Sequence, residues 1–133
     1  MENYIDNYKK HNKTLFKFMG YSDGQVDYDA FIPHDSITGI CVLMLIVSKI
    51  NQMSTDDLKM RAIISIKEDD TEVFIQEWYD TTRPDGYVNV VHIKESCIVE
   101  KTEENKIEYK EENLKMTHRA IYNACVDFVI KKS

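Results

Sequence analysis

Residues 117–130 read THRAIYNACVDFVI, and this stretch decides the fold. Polar residues recur every four positions from Arg119 to Lys131, so on a helix they form one narrow stripe. Nearly all the other side chains are apolar or aromatic, which is more apolar surface than a helix needs when it packs on one open sheet. We therefore predict a last helix from Asn113 to Lys132 that other elements cover on two sides.

Size and composition predict one globular domain over residues 1–133. Hydrophobic residues make up 43% and aromatic residues 11% of the 133 positions, and a chain of this length can bury a core without disulfides or metals. The three cysteines, Cys41, Cys97 and Cys125, form no C-x-x-C motif and lie in apolar runs. We interpret them as buried free thiols of a cytosolic protein.

Charge and hydropathy argue against two kinds of partner. The formal net charge of −6 does not suit a sequence-independent grip on nucleic acid, although folding could still cluster some basic residues. The longest apolar run, Ile40 to Val47, has eight residues, whereas a helix needs about 20 to cross a bilayer. The first residues are acidic and polar, unlike those of a signal peptide. We expect a cytoplasmic protein that binds neither nucleic acid nor membrane.

Apolar spacing predicts two helices in the first half of the chain. From Tyr4 to Met19 the apolar residues fall at helical spacing, and Gly20 follows as a residue that can end a helix in the left-handed conformation. From Ser36 to about Met53 the chain is apolar almost all round, and the length of this run favours a helix over a strand.

Alternation of apolar and polar residues predicts strands in the region that follows. The clearest are Arg61–Lys67, Thr71–Tyr79 and Tyr87–Ile93, and two further candidates, Ser96–Glu100 and Lys106–Lys110, flank a charged hairpin tip. Helices thus precede and follow a run of strands, which is typical of segregated topologies. The expected class is α+β, with an antiparallel sheet of four to five strands packed with three helices in the order α-α-β-β-β-β(-β)-α.

The residues that could support catalysis or metal binding do not fall in a pattern that favours either. The histidines match no metal-ligand spacing. Cys97 or Cys125 could in principle meet His92 or His118 in a nucleophilic site, but a cysteine in an apolar periodic segment is usually a small core residue. We therefore predict no catalytic residue, no metal site and no cofactor, and we favour a protein that is not an enzyme.

The placement of arginine gives one candidate ligand site. Arg83 lies in a predicted turn before Pro84. Arg119 lies beside His118 in the expected first turn of the last helix, where free backbone N–H groups favour an anion. Arg83, His118 and Arg119 are thus the candidate residues for a small anionic ligand. The alternative is that they are ordinary surface side chains.

Three segments resemble small proteins encoded by bacteriophages and prophages, of the group described as a phage αβα (ABA) sandwich domain. They are Asn12–Gly20, Leu43–Ile50 and Ala120–Val129, and their order and approximate spacing are similar to those of that group. The chain departs from the commoner pattern in its longer stretch Asp56–Asp85. The resemblance implies a fold and a phage or prophage origin, but no agreed activity and no functional residues.

Two functional hypotheses follow. The first is a phage accessory protein without catalytic activity, in the cytoplasm of a bacterial host, that binds a host protein or assembles with itself. A two-fold dimer is the simplest assembly, because the apolar circumference of the helices exceeds what one small sheet can cover. The second is a binder that sequesters an anionic, nucleotide-like molecule of host defence. Convergence of Arg83 and Arg119 on one pocket would favour the second hypothesis.

Overall fold

Among the described residues, three α-helices and a short 3₁₀ helix accompany one antiparallel sheet. The structure is a computed structural model that describes residues 3–22, 24, 25, 27, 37–54, 58–79 and 86–132. Along the chain, a short 3₁₀ helix and two α-helices come before three strands, and a third α-helix follows them. The predicted α+β class is therefore confirmed, but the sheet has three strands among the described residues, where four to five were expected.

The N-terminal helix is split into two pieces. A 3₁₀ turn over Tyr4–Asn7 leads into α1, Tyr8–Phe18. Asn3 caps the first turn, because its side-chain oxygen accepts a hydrogen bond from the backbone N–H of Ile5 at 3.2 Å. Gly20 has a φ of 95°, which a residue with a Cβ rarely adopts, and it ends the segment as the sequence predicted.

One side of α2, Ile37–Asn51, faces the core. Its buried side chains recur at intervals of three and four residues and are Leu43, Ile46, Val47 and Ile50. The opposite side of the helix is exposed to solvent. The predicted helix start at Ser36 lies outside the described residues.

The sheet is a meander in the order β1-β2-β3. The strands are β1, Leu58–Ile66, β2, Asp70–Tyr79, and β3, Tyr87–Ser96. Odd-numbered side chains of β2 from Thr71 to Glu77 are buried, whereas the even-numbered ones from Glu72 to Trp78 are only half-buried. The sheet therefore has an inner face, which packs on the helices, and an outer face. At a bulge between Ile75 and Gln76 the β2–β3 pairing skips Val90, so the outward side chains of β3 are odd-numbered before this point and even-numbered after it.

The last helix, α3, spans Lys106–Lys132 and is longer than predicted. The expected hairpin before it is wrong, because residues 97–105 form no strand and residues 106–110 are the first turns of α3. Tyr109 shows why: it is buried, and its hydroxyl donates to the side chain of Asp69 and, at 3.2 Å, to the carbonyl of Glu68. These contacts fix the start of α3 on the turn between β1 and β2.

The core is built around α3. This helix contacts β2 and β3 on the inner face and also contacts α1 and α2. The fully buried side chains include Leu15, Leu43, Ile46, Tyr122 and Phe128. The prediction that more than the sheet covers this helix is confirmed.

Polar side chains bond the backbone at both free edges of the sheet. At the β1 edge, Asn51 Oδ1 accepts a hydrogen bond from the backbone N–H of Ala62 at 2.8 Å. At the β3 edge, the ammonium of Lys131 donates to the backbone carbonyl of Val90 at 2.9 Å. Backbone groups that strand pairing leaves open are thus partly satisfied within the chain.

Candidate functional site

The residues proposed to bind an anion do not form the expected site at a helix terminus. Arg119 lies in the middle of α3 rather than in its first turn, because the helix begins at Lys106. The backbone N–H groups around Arg119 are therefore used within the helix, and the expected helix-terminus site there is wrong. His118 is half-buried. Arg83 lies outside the described residues, so its convergence with Arg119 stays a prediction.

The guanidinium of Arg119 has a partner within the chain. Its Nε lies 3.3 Å from Oε2 of Glu95 on β3, and the two side chains are 20% and 25% exposed. A charge-assisted contact of this kind between half-buried groups holds α3 to the sheet. An incoming anion would therefore compete with Glu95 for this guanidinium.

The polar stripe of α3 fastens the N-terminal segment. Asn123 is 1% exposed, and its Oδ1 accepts a hydrogen bond from the backbone N–H of Tyr4 at 3.0 Å. The Tyr4 hydroxyl donates to Oδ1 of Asp127 at 3.0 Å. The Asn123 amide also donates to Asn3 Oδ1 at 3.3 Å and Glu95 Oε1 at 3.4 Å. The polar stripe of α3 therefore binds the N-terminal segment of the same chain.

The cysteines differ in exposure. Cys125 is buried in the core, and burial raises the pKa of its thiol to about 12, so its reactive thiolate is scarce at neutral pH. Cys97 is half-buried, and Cys41 is exposed. The prediction of three buried thiols is wrong for Cys41, because α2 is apolar on both sides and the described elements cover only one of them.

The exposed side of α2 presents an apolar patch. We call Cys41, Met44 and Leu45 the α2 patch, since the spacing i, i+3, i+4 places them on one side of the helix. Met44 is 45% and Leu45 61% exposed. No charged residue occurs in residues 40–48. Sequence reasoning predicted a surplus of apolar surface on α2 but not its location, because a run that is apolar all round does not indicate which side is buried.

Metal-binding clusters and membrane spans are missing from the part of the chain that the structure describes. No three His, Cys, Asp or Glu side chains in these ranges come together so that they could hold a metal ion. None of the helices over the same ranges combines the length and the apolar character that crossing a bilayer requires.

Comparison of the chain with protein-family models, with curated proteins and with solved structures found no match.

Proposed function

We propose that the chain is a binding protein without catalytic activity that assembles with a second copy of itself through the α2 patch. The observation that carries this proposal is the 61% exposure of Leu45 on a helix whose other side is buried in the core. Exposed leucine and methionine side chains on one uncharged helix surface gain free energy when a partner covers them. The resemblance of three segments to phage-encoded proteins supports an accessory role in a bacterial host.

The chemistry of the α2 patch suits a second copy. Because residues 40–48 carry no charge, two such patches related by a two-fold axis meet without repulsion. The helical spacing of Met44 and Leu45 also allows the ridge of one helix to pack beside the same ridge of its copy. A host protein with an apolar groove is the other candidate partner for the same patch.

The test is the mass of the protein in solution, measured by light scattering over a micromolar concentration series. The parent chain should reach twice the monomer mass. Leu45→Glu should weaken the dimer at least tenfold, about 1.4 kcal/mol, because a carboxylate would have to be desolvated where a leucine was buried. Leu114→Glu on α3 is the matched control, since Leu114 is 64% exposed but lies outside the α2 patch.

Two results would refute this proposal. A parent chain that stays monomeric over the whole series has no self-association to explain. A dimer that Leu114→Glu disrupts and Leu45→Glu does not would place the interface on α3.

The anionic-ligand hypothesis has less support. Arg119 already contacts Glu95, and the N-terminal segment occupies the neighbouring position at Asn123. Calorimetry with nucleotides would reveal such a role as a heat of binding that Arg119→Ala removes.

A further inference from the structure

The outer face of the sheet points away from the described helices and carries aromatic side chains. Its side chains alternate along the strands with those that point to the helices. This face holds Arg61, Phe74, Trp78, Tyr87 and His92. None of these five side chains belongs to the core cluster. Aromatic rings on a sheet are thus left without a covering helix among the described elements.

Two pairs of aromatic side chains face each other across β2 and β3. Phe74 and His92 stack with ring centroids 4.4 Å apart and planes 9° apart. The Trp78 and Tyr87 centroids are 6.0 Å apart, with planes tilted by 31°. The Arg61 guanidinium lies 3.6 Å from the centre of the Tyr87 ring. Such rings and a guanidinium plane are groups on which a nucleobase can stack.

Amide side chains lie between these two pairs. Gln76 Nε2 donates to Asn89 Oδ1 at 2.8 Å, and Gln76 Oε1 accepts from Arg61 Nε at 2.6 Å. Asn89 is exposed. An exposed amide offers both donors and acceptors, so it can pair with the edges of bases that stack beside it.

The outer face also differs in charge from the rest of the chain. Five charged side chains occupy its outward positions: Lys59, Arg61, Lys94, Asp70 and Glu72. They sum to +1, whereas the whole chain carries −6, so the remainder carries −7. Glu72 is engaged by His92 at 2.9 Å, and this hydrogen bond keeps the pKa of its carboxyl below the usual value. The outer face therefore does not share the acidic balance of the whole chain, and its net charge does not repel a polyanion.

We infer that the outer face binds single-stranded nucleic acid, with bases stacked on its rings and phosphates near Lys59 and Lys94. An open sheet with exposed aromatic side chains can stack two or three bases with little sequence preference. A duplex keeps its bases stacked internally and cannot use the rings. The net charge of −6, which argued against nucleic acid, is a sum over the whole chain and does not describe this face, whose charged side chains sum to +1. This inference does not depend on the α2 patch.

The single tryptophan of the chain makes the inference testable, because Trp78 fluorescence reports on the outer face alone. Oligo-dT and oligo-rU of about 12 nucleotides should quench this fluorescence. A labelled strand should gain anisotropy with a dissociation constant on the order of 10 µM at low salt, and binding should weaken as salt rises. A duplex of the same length should bind more weakly and cause no quenching.

Variants on two faces separate this site from unspecific attraction. Tyr87→Leu keeps an apolar side chain but removes one ring and the partner of Arg61, so binding should weaken about tenfold. Lys94→Gln should reduce the slope of log affinity against log salt by about 0.7. Lys10→Gln on α1 is the control for lysine loss away from the sheet and should change neither quantity. Circular dichroism confirms that each variant is folded.

Three results would overturn the inference. One is an absence of quenching and of anisotropy change for both strands at high micromolar protein. Another is equal binding of single strands and duplex that Tyr87→Leu leaves unchanged, which means attraction by charge only. The third is a dimer that Tyr87→Leu dissociates while no nucleic acid binds, which means that a second copy covers the outer face.

Discussion

Replacing Asn123 with alanine tests whether the polar stripe of α3 holds the N-terminal segment in place. The change removes the partner of the buried Tyr4 N–H, and leaving such a donor unsatisfied costs about 1–3 kcal/mol. The contacts to Asn3 and Glu95, at 3.3 and 3.4 Å, are longer and add less. Alanine returns roughly 0.5 kcal/mol through its higher helix propensity. The expected loss is therefore about 2 kcal/mol in the free energy of unfolding.

Urea and thermal denaturation followed by circular dichroism measure this loss. For a chain of this size, 2 kcal/mol corresponds to a drop in Tm of roughly 6–10 °C. Hydrogen exchange adds a local measurement. In the Asn123→Ala variant, the backbone amide of Tyr4 should exchange faster than the amides in the middle of α3. The urea m-value should stay the same, because the surface exposed by global unfolding does not change.

Asn113→Ala is the matched control, because it makes the same substitution in the same helix. The buried side-chain oxygen of Asn113 has no hydrogen-bond partner, and the Tyr109 hydroxyl that its side chain also contacts keeps its hydrogen bonds to Asp69 and Glu68, so Asn113→Ala should cost less than Asn123→Ala. A loss of less than about 0.5 kcal/mol for Asn123→Ala, or an equal loss in both variants, would contradict this role of the stripe. Either result would mean that the stripe is only a solvated edge of the helix.

Two further predictions concern ionisation and thiol chemistry. Burial raises the pKa of the Cys125 thiol from 9.0 to about 12 and raises that of Tyr122 above 10.0, so the folded state keeps protons that the unfolded state releases. The free energy of unfolding should thus keep this contribution in full below pH 9 and lose it above that pH, by roughly 1.4 kcal/mol per pH unit for each group. Urea titrations from pH 8 to 11 check this. Cys125→Ala should delay the onset of the fall to pH 10. In the native protein at neutral pH, a disulfide reagent should modify Cys41 rapidly and Cys125 only after denaturation, and mass spectrometry of peptides should show this order; rapid native modification of Cys125 would contradict its burial.

The sequence was sufficient to predict secondary structure where the periodicity of apolar residues coincides with the burial of one face. The strands Arg61–Lys67 and Thr71–Tyr79 were predicted within three residues of their observed bounds, because alternating side chains meet a buried face and an open one. The polar stripe of α3 was found for the same reason. The role of this stripe could not be predicted, because a stripe of this kind is equally typical of a solvated surface and of a buried network.

The start of α3 shows where periodicity misleads. Ile107 and Tyr109 alternate with charged residues, which favours a strand over so short a window. Ile107 is 76% exposed, however, and the buried positions Tyr109, Met116 and Ala120 follow helical spacing over a longer window. The contact of Tyr109 with the β1–β2 turn selects the helix, and no local pattern contains that contact.

The open surfaces could not be predicted for a related reason. Trp78 lies near the end of one predicted strand and Tyr87 at the start of the next. The register shows that they form a cross-strand pair on the face that points away from the described helices. Which face of a meander receives the helices depends on the connections between elements, and alternation alone does not encode it.

The side chains that bond the sheet edges limit how copies of this chain can associate. An edge strand with unpaired N–H and C=O groups is a template on which another strand can add, and repeated addition leads to fibrils. At the β1 edge, Asn51 Oδ1 accepts a hydrogen bond from the Ala62 N–H, and Ser54 Oγ accepts one from the Met60 N–H at 2.9 Å. At the β3 edge, the charged ammonium of Lys131 donates to the Val90 carbonyl. Growth from strand to strand is thereby obstructed at both ends of the meander. Association through a helix surface can then stop at a closed particle of defined size.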